Sequence, residues 1–134
     1  MNKPYLKSIL ISSALIATNL YAETPDIYDR CVNQTIQEMN LAGINNMVVD
    51  ACSNQAKSVY EKQIVKLLDK IRKQSQQYKQ PERYEAIMKS QRLWKAYIDQ
   101  ECNNAGNYIG SPMYSFCPMQ EYKNRVDQLN EYAN

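Results

Sequence analysis

Histidine is missing from all 134 residues, glycine occurs three times, and tryptophan and phenylalanine once each. The first absence removes the side chain that most often shuttles protons near neutral pH and most often binds transition metals. No Cys-x-x-Cys occurs, so a structural zinc site has no ligand pattern to start from. Ser-x-x-Lys and nucleophile-elbow patterns are also missing. Asp99 and Glu101 come nearest to an acid–base pair, but side chains two apart on a helix point in different directions and would not flank one bond. A non-enzyme is expected, with no catalytic residue, metal or cofactor. Alternating strand patterns, internal repeats and Gly/Ser-rich linkers are lacking too, which leaves helices and a single domain.

What is present begins with a leader. Lys3 and Lys7 precede an apolar stretch over residues 9–20, and Ala22 offers a small residue for cleavage before Glu23. The competing reading is a retained membrane anchor. Against it, the stretch is shorter than the ~20 residues a spanning helix needs, and Ser12, Ser13, Thr18 and Asn19 interrupt it. Residues 1–22 are therefore expected to be a signal peptide. Residues 23–134 are then one domain of a periplasmic or secreted protein, with no membrane span in the mature form.

Export decides the cysteines. Cys31, Cys52, Cys102 and Cys117 in an oxidising compartment should form two disulfides, and three pairings exist. Cys31–Cys52 with Cys102–Cys117 is favoured because each bridge closes a short loop between neighbouring elements. Bridges of that length are worth roughly 3 kcal/mol each in the chain-entropy model. Without Lys3 and Lys7, fourteen basic residues balance fourteen acidic ones. From Lys57 to Lys95 there are eleven basic and four acidic residues, while both ends of the mature chain are acidic. The plain reading of the basic middle is a solvated helix surface, and an exported, neutral chain without a recognition motif is not expected to bind nucleic acid.

The periodicity predicts an all-α bundle of about four helices, stapled by disulfides. Thr24-Pro25-Asp26 reads as a hydroxyl cap, a proline at the first helical position and a first-turn acid. Ile27, Cys31, Thr35 and Met39 follow at helical spacing, and Gly43 with Asn45 and Asn46 stops that helix and caps the next. A long helix is expected over about residues 47–78, with Val48, Cys52, Ala56 or Gln55, Val59, Gln63, Leu67 and Ile71 inward and a fraying tail at residues 74–77. Gln80-Pro81 breaks it. A third helix over about residues 82–103 turns Tyr84, Ile87 or Met88, Gln91, Trp94, Ile98 and Cys102 inward. A loop over residues 104–116 follows, and Pro118 opens a short last helix carrying Tyr122, Val126 and Leu129.

Gln91-x-x-Trp94-x-x-Tyr97-x-Asp99-x-x-Cys102, then Gly110-Ser111, Cys117 and Arg125-x-x-x-Leu129, resembles the LprI-like lysozyme-inhibitor family. The likeness is strongest over residues 88–132 and looser through Cys31, Cys52 and Tyr60. It implies a small exported α-helical domain of the bacterial envelope with a protein partner, a lysozyme. The alternative is a non-enzymatic envelope adaptor that binds another periplasmic protein or peptidoglycan.

Individual residues carry both plain and functional readings. Trp94 reads as a core anchor whose indole N–H needs an acceptor, with Gln91 or a loop carbonyl in reach. Tyr97 belongs to the same structural motif. Asp99, a poor dipole partner near a helix C-terminus, is expected to cap N–H groups of the following loop or to face a partner. Arg125 is expected to pair with Asp99 or Glu121. For partner binding, the disulfide-framed loop offers Asn104, Asn107, Tyr108, Ser111 and Tyr114, side chains that give contact area at low ordering cost. The competing reading of that loop is a structural turn.

Overall fold

The computed structural model describes residues 26–134. The leader expected over residues 1–22, with Thr24 and Pro25, lies outside them. Four helices follow in order: α1 (Ile27–Glu38), α2 (Asn46–Gln77), α3 (Pro81–Tyr108) and α4 (Met113–Ala133). No strand occurs among the described residues. The disulfides are Cys31–Cys52 and Cys102–Cys117, the pairing expected from loop length.

Each helix end has a local cause. Asn45 is extended (ψ 172°) and its side chain accepts the Val48 N–H at 3.0 Å, so it caps α2. α1 and α2 end alike. Asn40 (φ 50°) and Lys79 (φ 55°) adopt the left-handed conformation. The next amides fold back, Leu41 N–H to the Ile36 carbonyl at 3.0 Å and Gln80 N–H to the Ser75 carbonyl at 2.8 Å. The stop of α1 is therefore Asn40; Gly43 lies beyond it in the connection, with open space around its α-carbon. Met39, expected inward, sits at the C-cap and is exposed.

At 32 residues α2 is about 48 Å long, and the other three helices all pack on it. Its inward stripe begins as expected with Val48, Cys52 and Ala56, then continues through Tyr60 and Ile64 rather than Val59 and Gln63. The physical reason is a change of partner. Val48 and Cys52 pack with Val32 of α1, whereas Tyr60, Ile64 and Ile71 join Met119, Tyr122 and Leu129 of α4. The tail of α2 does not fray either. Ser75 is buried, and the Gln74 side chain donates to the Ala133 carbonyl at 2.9 Å. Arg83 donates to the neighbouring Tyr132 carbonyl, so two imported donors satisfy the end of α4, which has no basic residue in its own last turn.

The largest departure concerns the segment 104–116, which is mostly helix. α3 runs on to Tyr108, and α4 starts at Met113. Pro118 does not open α4 but lies inside it; the first turn forms on the Pro112 carbonyl, which accepts the Phe116 N–H at 3.0 Å. A proline this close to a helix start removes only one interior hydrogen bond, the one Tyr114's carbonyl would accept.

Polar ties link segments far apart in sequence. The Asp26 carboxylate caps α1 through Ile27 N–H at 2.6 Å, accepts the Tyr60 hydroxyl from α2, and pairs with Lys123 of α4 at 3.1 Å. Burial alone would raise its pKa, but these donors outweigh it and hold the carboxyl below its ordinary 3.8. The bound anion therefore stabilises the fold in full above the unfolded pKa, and that stabilisation drains away as pH falls through the lower folded value. Asp26→Asn keeps a capping side chain and removes the charge. It should flatten the acid-side fall in stability, followed by urea denaturation between roughly pH 5 and pH 2. An acid limb as steep as the parent's would contradict this account.

Candidate functional site

α1 with α2, and α3 with α4, form two antiparallel hairpins whose turns lie at one end of the bundle. The Asn46 side-chain amide reaches the Ser111 carbonyl across them at 3.5 Å. Each hairpin is stapled close to its own turn. Cys52 is two turns into α2, Cys102 is two turns before the end of α3, and Cys117 is one turn into α4. Their Cα–Cα separations of 5.5 and 5.4 Å fix the helices at this end.

All five residues expected to bind a partner sit here, although only Ser111 is in a loop. Asn104, Asn107 and Tyr108 occupy the last turns of α3, and Tyr114 occupies the first turn of α4. Tyr108 is 86% exposed and Ile109 beside it 73%. Asn104 is half-buried and its carbonyl accepts from Gln100 at 3.0 Å, which turns it along the helix. The Tyr114 hydroxyl donates to Asn107 at 2.8 Å. Its ring lies against Gly106, where an added Cβ would meet ring carbons at 2.2 to 2.7 Å. Sequence reasoning missed Gly106, and it missed Ile44 and Met47 on the facing turn, both more than half exposed. A usable signal for the latter pair existed: Ile44 in the connection and Met47 in the first turn of α2 are apolar residues flanking Asn45 and Asn46, off the stripe of either helix.

Behind the tip, a groove of about 330 Å³ opens between α2, α3 and α4. Asp99, Asn103 and Tyr114 line it with Asn54, Lys57 and Lys95, over a floor that includes Ile98 and Pro118. Asp99 does not cap a loop, because α3 continues for more than two turns beyond it. It pairs instead with Lys95, one turn back. The Tyr122 ring closes the inner side, with the Lys57 ammonium 4.8 Å from its centre. Burial raises the Tyr122 pKa, against the opposing charge of Lys95, so its hydroxyl keeps its proton.

The remaining motif residues are structural in their contacts. Trp94 is half-buried at the margin of the core and meets Tyr122 edge-on, ring centres 5.1 Å apart. Gln91 does not serve the indole; its carbonyl accepts from Arg125 Nε at 2.8 Å. Arg125, 5% exposed, pairs with neither Asp99 nor Glu121. Its guanidinium donates to Gln91, Gln128 and Ser90 and lies 5.6 Å from the Trp94 ring centre. It faces Ser90 and Gln91, more than two turns of α3 before Asp99, which explains the change of partner. Tyr97 stands on the outer surface of α3 near Leu93, both exposed.

These features define a small all-α domain of two stapled helical hairpins, with an exposed tip and a polar groove behind it. The family described as Lysozyme inhibitor LprI matches residues 27–129, covering all of α1, α2 and α3 and most of α4. The chain belongs to that family. No curated protein and no solved structure gives a significant match. No described helix is long and apolar enough to cross a membrane.

Gly106→Ala separates the tip's geometry from its stability. Alanine gains about 1 kcal/mol of helix propensity but drives the Tyr114 ring off its seat. The expected outcome is a melting temperature close to the parent's with loss of the Tyr114–Asn107 hydrogen bond, read by NMR of the two side chains; an unmoved ring would contradict the packing described. Cys102→Ser with Cys117→Ser removes a bridge spanning 15 residues, worth about 3 kcal/mol. Amide exchange should accelerate first across residues 104–116 and last at the centre of α2. Uniform acceleration in all four helices would show that the bridge does not hold the tip locally.

Proposed function

We propose that this protein is exported and inhibits a lysozyme by stoichiometric binding, its doubly stapled tip occluding the enzyme's cleft. The family it belongs to supports the class of partner. The observation that carries the choice of surface is the tip itself, where Ile44, Met47, Tyr108 and Ile109 stand exposed on helix ends that the two disulfides hold in place. Exposed aromatic and aliphatic side chains on a rigid frame are the anchors that dominate protein interfaces, because little freedom is lost when they are covered. Asn107, Tyr114 and Ser111 add hydrogen-bonding groups around them. A lysozyme cleft carries two catalytic carboxyl groups, which amide and hydroxyl donors on an inserted tip can satisfy. Binding rather than catalysis is the reading these residues favour, since all four cysteines are spent in disulfides and there is no histidine to act as base.

The test is turnover of cell-wall substrate by chicken-type, goose-type and phage-type lysozymes, titrated with the oxidised protein. Inhibition of at least one, saturating at one inhibitor per enzyme, is expected. Tyr108→Asp with Ile109→Asp should raise the inhibition constant roughly 30-fold, equivalent to about 2 kcal/mol, while leaving the melting temperature unchanged. No inhibition of any of the three classes at micromolar protein would refute the proposal, and full inhibition by the double variant would move the surface elsewhere.

A further inference from the structure

We infer that the groove between α2, α3 and α4 is a receptor for a small hydroxylated monocarboxylate, a sugar acid, whether or not the tip binds a lysozyme. Its donors come from separate helices and converge on one space. Lys57 lines it from α2, Lys95 from α3 and Tyr122 from α4. Among the described residues Lys57 has no carboxylate partner, and its ammonium rests over the Tyr122 ring at 4.8 Å. A cation held over an aromatic face keeps its place while its N–H donors stay available to an anion.

Charge sets the valence of that anion. Among the residues that line it two lysines face one aspartate, Asp99, and Glu61 stands outside the lining within electrostatic reach of Tyr122, so the lining itself carries one net positive charge and suits a monoanion. A dianion such as a phosphate monoester would meet the Asp99 carboxylate at close quarters. The same carboxylate accepts hydrogen bonds from hydroxyl groups, and Asn103 on the rim both donates and accepts. At about 330 Å³ the groove is at the lower end of the range for ligand sites, too large for a bare carboxylate and suited to one sugar ring. Ile98, 1% exposed, gives an apolar floor, and the Cys102–Cys117 bridge fixes the spacing of the two helices that form its walls. A site held open in this way loses little entropy when it is filled.

The experiment is a titration of the ¹⁵N-labelled oxidised protein with glucuronate, glucose, acetate and inorganic phosphate, followed by amide NMR. Glucuronate should give saturable shifts at Lys57, Asp99, Asn103 and Tyr122, with glucose and acetate each at least tenfold weaker. Lys57→Met should weaken glucuronate at least tenfold and leave the spectrum outside the groove unchanged, and Lys57→Arg should restore most of the affinity. No saturable response to glucuronate would overturn the inference. Equal binding of glucose, equal binding of acetate, tighter binding of phosphate, or undiminished affinity in Lys57→Met would overturn it as well. None of these readouts depends on lysozyme, so failure here leaves the tip's role to its own assay.

Discussion

Two covalent clamps at one end of a thin bundle are the constraint on which the rest depends. Most of the core lies between α2 and α4, while α1 and α3 contribute few fully buried side chains. Those peripheral helices are the ones that need help, and each is tied by a disulfide to the central helix beside it, α1 to α2 and α3 to α4. A closed loop of either length reduces the entropy of the unfolded chain by an amount comparable to burying one or two large side chains. The clamps also decide where the molecule is rigid. Their position next to the two turns makes the tip a firm surface although it has little core beneath it.

Polar groups complete the interior where apolar ones are scarce. Asp26 gathers the start of α1, the middle of α2 and the middle of α4 around one carboxylate. Arg125 does comparable work between α3 and α4 with neutral partners only. Burial lowers the Arg125 pKa, yet guanidinium remains charged at any ordinary pH, and three hydrogen bonds with the facing Trp94 ring compensate its lost water. A buried cation that binds amides and a hydroxyl rather than an acid leaves the surface carboxylates free. Asp99 is thereby left to Lys95 and the groove.

The helices, their order and the disulfide pairing could be read from the residues, because long stripes at helical spacing and proline breaks are local signals. The break at Gln80-Pro81 and the cap at Asn45 are of this kind. What was hidden was tertiary. Residues 104–116 carry two glycines and a proline and so read as a loop, but Gly106 is helical, and its missing side chain serves the close approach of the Tyr114 ring rather than a turn. Asn40 and Lys79 end helices in a conformation that favours glycine, and no composition rule would have chosen that lysine. The groove was only half visible. Asp99 and Tyr114 stood out in the sequence, whereas Lys57 belonged to a run of cations and became distinct only when α2 placed it over Tyr122. Neighbours supplied by a second helix leave no mark on the first.

The far end of α4 bears on how the molecule can be handled. α4 carries the chain away from the tip for 21 residues, about 30 Å, and its last carbonyls are anchored by Gln74 and Arg83 at the opposite pole. A bead, fluorophore or fused domain attached at the end of α4 would therefore sit at the far pole and leave both the tip and the groove facing outward. An orientation suited to surface capture is thus built into the topology.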